Sequence, residues 1–306
     1  MGKLILPKGK RIAVTLALDC DGQSVWLGGF NRPTPCYMSR GQFGMEVGLP
    51  RILDLFQKYD IQSTFFFPGH TIETFPDVAK RVRDAGHEIG IHGYYHEVPL
   101  NLAREDEARL QQRALEAAEK VLGVRPVGYR SPCWDHSVNT MSILEENGFE
   151  YDSSLMGRDF ELYRPQEIAV HWETPNVFGR ASQVLEVPVS WYVDDWPPLA
   201  YMGSGQTGMQ DTDVIFRRWA DSFWYCYNKI ENGNFITAMH PQIIGQSHHM
   251  MFLERFIQYI KTYEGVWFTS TKNVVACWQD DAEDKRRMAL SSNQFVESKP
   301  EYYSFE

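Results

Sequence analysis

His92 and His96, in the stretch Ile91-His92-Gly93-Tyr94-Tyr95-His96-Glu97, are the residues whose types and spacing point most directly to chemistry. On a helix, residues at this spacing share one face, so the two imidazoles could grip one divalent ion. A third ligand is offered near the N-terminus, where the apolar run 14–18 ends in Asp19 and Asp21. On an extended backbone these two carboxylates project to the same side, one able to bind a metal and the other to handle a proton. His240, followed by Pro241, closes another apolar run. One carboxylate and two imidazoles leave coordination positions free for water and a substrate oxygen, as a catalytic site requires. Zinc suits these donors, with iron, manganese and cobalt as alternatives. Against this stands a plainer reading, in which the acids close a solvated turn and the histidine pair caps a helix. The constellation as a whole implies a metal-assisted hydrolase.

Alternating elements must position these groups. Strands are expected at 14–18, 63–67, 88–91, 127–129, near Tyr151, and at 184–189, 235–239 and 266–269. Helices are expected at 47–56, 77–85, 104–122, 138–146, 213–230 and 250–263, several of them stopped by glycine at 86, 123 and 148. The Gly- and Pro-rich stretch 22–44 reads as a loop, and 156–183 has weak periodicity. Strand and helix alternating at this spacing predict an α/β fold, a distorted (β/α) barrel of seven to eight parallel strands. Asp19, Asp21, His92, Arg130, Asp194, Asp195 and His240 each follow an expected strand, which places them on the catalytic rim of such a barrel. A single catalytic domain over 1–306 is expected, with a polar peripheral tail after about residue 280.

Composition narrows the partners. A net charge of −10 argues against a phosphate-backbone partner, since nucleic-acid surfaces cluster Lys and Arg, and favours neutral or cationic substrates. Five scattered cysteines without a C-x-x-C pair indicate neither a disulfide framework nor a zinc knuckle, and reduced thiols suit a cytoplasmic protein. No apolar run approaches the ~20 residues of a membrane span, and 12–18 reads as a buried strand, not a leader.

The order of the Asp pair, His92-x-x-x-His96, Tyr129-Arg130-Ser131-Pro132-Cys133-Trp134, Asp194-Asp195-Trp196 and Met239-His240-Pro241 resembles the motifs of the polysaccharide deacetylase (NodB homology, carbohydrate esterase family 4) superfamily. Similarity is greatest to its intracellular branch, which holds Helicobacter-type peptidoglycan deacetylase, cyclic imide hydrolases and allantoinases. Ser39-Arg40-Gly41-Gln42-Phe43 and Phe67-Pro68-Gly69-His70-Thr71 extend the likeness. The resemblance implies Asp19 as the base that activates water, Asp21, His92 and His96 as the metal triad, and His240 as the general acid. It implies further that Asp195 keeps His240 charged, that Arg130 orients the base, and that Trp134, Trp191 and Trp196 wall the pocket. It also implies a homo-oligomer, a tetramer among the options, acting on a small-molecule or glycan substrate with a divalent metal, Zn2+ before others.

Two other function classes compete. Leu18-Asp19-Cys20-Asp21-Gly22 looks like the opening motif of haloacid-dehalogenase phosphatases, with Asp194 and Asp195 as the later acids, though the histidines would then be idle. A non-catalytic ligand-binding barrel is the other. Gly203-Ser204-Gly205-Gln206-Thr207-Gly208 fits G-x-G-x-x-G by letter, but Pro197-Pro198 spoils a preceding strand, so it reads as a flexible loop near the pocket. Glu46, His70 and Glu97 are weighed as supporting partners of the site against surface or packing roles. His248-His249 reads as a solvated helix cap, and Phe223 to Tyr227 as core or subunit packing.

Overall fold

The computed structural model describes residues 2–203 and 208–291. Its strands are, in chain order, β1 (Lys3–Leu4), β2 (Ile12–Asp19), β3 (Thr64–Phe67), β4 (Glu88–Ile91), β5 (Gly128–Tyr129), β6 (Tyr151–Asp152), β7 (Gln166–Ala169), β8 (Val177–Ala181), β9 (Leu185–Glu186), β10 (Gly233–Met239), β11 (Val266–Phe268) and β12 (Trp278–Gln279). Eight of them form one parallel sheet in the order β10-β2-β3-β4-β5-β6-β9, with β11 also pairing β2. Helices between most successive strands cover the outside of this curled sheet, the α/β barrel architecture expected from the sequence. The barrel is incomplete. No ladder joins β9 to β10 among the described residues, and a parallel bridge from Asp194 to Ala238 spans the gap.

Central strands β2 and β10 are buried along their whole length, which explains their nearly continuous apolar sequences. Side chains alternate between the two faces. Phe65 and Phe67 pack outward under the helices, while Ala13, Ala17, Phe66, Tyr151 and Ile236 fill the barrel. The filling depends on glycine at two points: a side chain at Gly90 would run into the Phe66 ring, and one at Gly128 into the Tyr151 ring. Asp19 continues the inward alternation of Ala13 and Ala17 and therefore faces the barrel mouth.

Register carries the rest of the rim to the same level. Met239 pairs with Leu18, so His240 comes level with Asp19; Phe67 pairs with Ile91 and Ile91 with Tyr129, which brings His92 and Arg130 alongside. Asp194 and Asp195 reach the rim from the short helical turn Trp191–Val193, not directly from a strand.

Two expectations fail in the connections. Stretch 22–44 is largely helical, with a π-helical turn at Val25–Gly29 and an α-helix at Pro35–Phe43. Pro35 starts that helix instead of breaking it, because its missing N–H falls where no intrahelical partner exists. Residues 156–183 contain the antiparallel hairpin β7–β8, on which Ile168, Val177 and Phe178 are exposed, so no inward alternation marked it. Beyond residue 280 a helix spans Ala282–Met288; the tail from 292 on, and the Ser204-to-Thr207 part of the glycine-rich run, lie outside the described residues. Among the described residues no helix is long and apolar enough to cross a membrane, and the five cysteines are free thiols.

Candidate active site

His92 and His96 do not sit on a helix, which corrects the expectation for their spacing. His92, directly after β4, still donates its backbone N–H to Phe67 O at 2.9 Å. Gly93 then turns with φ 68°, and His96 itself adopts φ 63°, a left-handed conformation that histidine tolerates better than most residues. The buried Glu97 carboxylate closes this turn by accepting the N–H groups of Tyr94 at 2.9 Å and Tyr95 at 2.8 Å. So Glu97 shapes the loop that returns His96 beside His92. Gly29 makes room for that ring, since a Cβ there would lie 2.9 Å from His96 Nδ1.

Asp21 is held by a second turn. Gly22 has φ 57°, and Thr71 Oγ1 donates to the Asp21 carbonyl at 2.6 Å. The side-chain atom Asp21 Oδ1 lies 3.5 Å from His92 Nε2 and 3.9 Å from His96 Nε2. Tetrahedral ligands bound at ~2.1 Å to an ion stand roughly 3.4 Å from one another, so the spacing suits a shared cation. Oδ1 is buried and has no hydrogen-bond partner, although it should be among the costliest atoms to leave bare. His92 Nδ1 lies 2.8 Å from the carbonyl of Arg130, which fixes its proton there and turns the Nε2 lone pair toward Asp21. Burial lowers the pKa of His92 to about 4 and also lowers that of His96, so both are neutral ligands in waiting. Burial raises Asp21 to about 7, a penalty a bound cation would remove. The donor set therefore fits a divalent metal.

Asp19 has different company. Arg130, wholly buried, donates from Nη1 to Asp19 Oδ1 at 2.7 Å, while its Nε and Nη2 are anchored on Ser153 O and Oγ, each at 2.9 Å. Its guanidinium lies 4.3 Å over the Phe66 ring that plugs the barrel. Burial opposes ionisation of Asp19, but Arg130, His92 and His240 together outweigh it and hold the carboxyl below its ordinary value. It is an ionised carboxylate at neutral pH.

His240 faces both acids, its Nε2 at 4.0 Å from Asp19 Oδ2 and 3.9 Å from Asp21 Oδ2. Behind it, Nδ1 donates to Asp195 Oδ1 at 2.7 Å, with Asp194 at 3.6 Å. Burial favours the neutral ring, yet Asp195, Asp21 and Asp194 prevail and raise its pKa to about 10. Burial, with repulsion from Asp195, raises Asp194 to about 8.

Aromatic walls enclose a pocket of about 220 Å³ lined by these acids and histidines. Trp134 and Trp191 stack at 6.0 Å on one side, and Phe30 stacks with Trp196 at 5.7 Å on the other. Cys133 and Trp134 both have positive φ, 59° and 54°, so the loop after Arg130 is held in a strained shape that points the indole over the site. The ten residues to which the resemblance gives roles meet around this mouth, eight lining it and Arg130 and Asp195 bonded behind Asp19 and His240. Phe30, Ser153 and Gln242 were missed: the first lies in a stretch read as loop, and the others act through hydrogen bonds that leave no pattern in a single sequence. Glu46 is exposed and bonded to Gln42, and His70 lies half-buried between Ser24 and Thr74. His249 is buried with Nδ1 on Ile243 O at 2.7 Å, not a solvated cap.

A profile of the polysaccharide deacetylase family matches residues 43–151. The peptidoglycan deacetylase of Helicobacter pylori is 34% identical over 275 residues, covering 85% of this chain and 94% of its own. Among solved structures, a polysaccharide deacetylase-like chain of Mycobacterium smegmatis superposes with a TM-score of 0.78 at 28% identity, covering 98% of this chain and 99% of the other. The PuuE allantoinase follows with 0.73 at 25% identity, covering 89% and 91%. These relatives do not favour the phosphatase reading. The chain belongs to the polysaccharide deacetylase family and is a hydrolase of carbon–nitrogen bonds other than peptide bonds.

Proposed function

We propose that this protein is a divalent-metal-dependent hydrolase, zinc being the favoured ion, that cleaves the C–N bond of an N-acetylated sugar or of a cyclic amide or imide. The observation that carries the reading is the separation of two acids: Asp21 Oδ1 is bare and faces two neutral imidazoles, whereas Asp19 is tied to Arg130. Asp21, His92 and His96 would hold the cation, which when bound supplies electrophilic polarisation of the scissile carbonyl.

The chain's own residues do the proton work. Asp19, kept ionised by Arg130, accepts a proton from the attacking water. Attack on the planar carbonyl carbon gives a tetrahedral centre inside the aromatic slot, where exclusion of bulk water strengthens each charge interaction. His240 donates its Nε2 proton to the departing nitrogen, and Asp195 stabilises the imidazolium before that transfer. The C–N bond breaks, leaving acetate and an amine from an N-acetylated sugar, or, from a ring, one molecule that carries both the new acid and the freed nitrogen as an amine, amide or urea group.

A pocket of about 220 Å³ admits an acetamido group or a small planar ring between the stacked pairs. The test is hydrolysis of N-acetylglucosamine oligomers, hydantoin, succinimide and allantoin by protein loaded with zinc. Turnover of at least one of them, abolished by a chelator and restored by zinc, is expected. Turnover indifferent to the chelator would contradict the metal dependence; binding of one compound without turnover of any would favour a ligand-binding barrel.

A further inference from the structure

Asp21 has two oxygens with different fates. Oδ1 is left bare toward His92 and His96, while Oδ2 accepts a hydrogen bond from Gln242 Nε2 at 3.2 Å. The amide nitrogen is the end that must face the acid, because the amide oxygen would meet it with like partial charge. Gln242 is 6% exposed and lies in the helical turn Pro241–Ile244 directly after His240. That turn is pressed against the π-helical turn Gly44–Gly48 by missing side chains: a Cβ at Gly44 would lie 3.0 Å from Gln242 Cβ, and one at Gly48 would run into Pro241 O. The amide is thus delivered from a rigid element and has little freedom to follow the carboxylate if it rotates.

We propose that Gln242 is a positioning residue that locks the rotation of the Asp21 carboxylate, so that one oxygen alone is presented to the cation and the affinity of the Asp21, His92 and His96 cluster is set by it. The inference rests on the reading of that cluster as a cation site. Without the amide, Oδ2 loses its neutral donor and the carboxylate can turn toward the charged His240, whose Nε2 lies 3.9 Å from Oδ2. Hydrogen bonds to metal-ligating carboxylates typically govern affinity by about 10- to 100-fold.

The experiment is competition for Zn2+ between the full-length metal-free protein and a chromophoric chelator, with near-ultraviolet circular dichroism and Tm recorded on the same metal-free samples. Gln242→Met keeps the length and removes the donor; Gln242→Asn keeps an amide but withdraws it by one methylene. Gln246→Ala, which removes a side-chain amide that donates to the Gln242 carbonyl and not to Asp21, is the control. We expect both Gln242 variants to bind zinc at least roughly tenfold more weakly, with unchanged metal-free spectra and a control like wild type. Equal affinity in wild type and in a folded Gln242 variant would overturn the proposal while leaving the cation site standing. No zinc uptake by wild type would remove the site itself, and the role of Gln242 with it.

Discussion

Asp195 offers the sharpest perturbation at the scale of a residue, because its carboxylate is 2.7 Å from His240 Nδ1 and on the side away from the pocket. The folded His240 titrates near 10 and the ordinary imidazole near 6.5, so in the metal-free protein its contribution to stability is complete below about 6.5 and is lost as pH rises through about 10. A catalytic acid follows the same direction, active while protonated. Asp195→Asn removes negative charge and must lower that pKa. The alkaline limb of kcat/KM is expected to move to lower pH by about 1 unit or more, read from a pH–rate profile; an unmoved limb would detach Asp195 from the charge of His240. Asp19 is held below its ordinary value by Arg130, so Ser153→Ala, which deletes one of the guanidinium's anchors, should depress kcat without changing zinc content. Loss of zinc in that variant would show that Arg130 serves the metal ligands instead.

At the scale of elements, the loop after β4 decides whether two histidines meet. Gly93 has φ 68°, and a Cβ there would come within 2.9 Å of Pro132 Cγ and 3.0 Å of Glu97 Oε1. Left-handed backbone alone costs a non-glycine residue about 1–2 kcal/mol. Gly93→Ala should therefore lower Tm by several degrees and bound zinc with it, measured by calorimetry and elemental analysis. A fully metallated, equally stable variant would show that the turn is not what unites the ligands. This loop also marks where the sequence stops being legible. The helix Arg104–Leu122 has the bounds its composition and Gly123 indicate, because propensity and capping act locally. Asp19, His92, Arg130 and His240 are recognisable because each ends or directly follows a buried strand, whereas Asp194 and Asp195 come from a helical turn. His92 and His96 carry helical spacing but are joined by a turn that Glu97 folds, a contact that spacing does not encode. Likewise the aromatic wall from Phe30 comes from a glycine-rich stretch whose π-helical turn has no sequence period of its own.

For the whole molecule, the rim gathers four carboxyls, Asp19, Asp21, Asp194 and Asp195, against one guanidinium and one imidazolium. That surplus of acids in a buried place is met in the metal-free fold by raising Asp21 and Asp194 to about 7 and 8, and it is what a dication would neutralise. Asp21 titrates near 7, so protons compete with the ion below that pH and not above it. Zinc at roughly a hundredfold excess over Kd should stabilise the fold by about 2.7 kcal/mol, several degrees in Tm. At one fixed zinc concentration the increment should be larger at pH 8 than at pH 5.5. An equal increment at both would mean that the ion is held elsewhere.

The division of labour between the two acids is tested most directly by zinc per chain, measured by elemental analysis on wild type, Asp19→Asn and His92→Ala, each assayed on the substrate found for the wild type. The account predicts that Asp19→Asn keeps its zinc and loses turnover, whereas His92→Ala loses both. Equal loss of zinc in the two variants would contradict it.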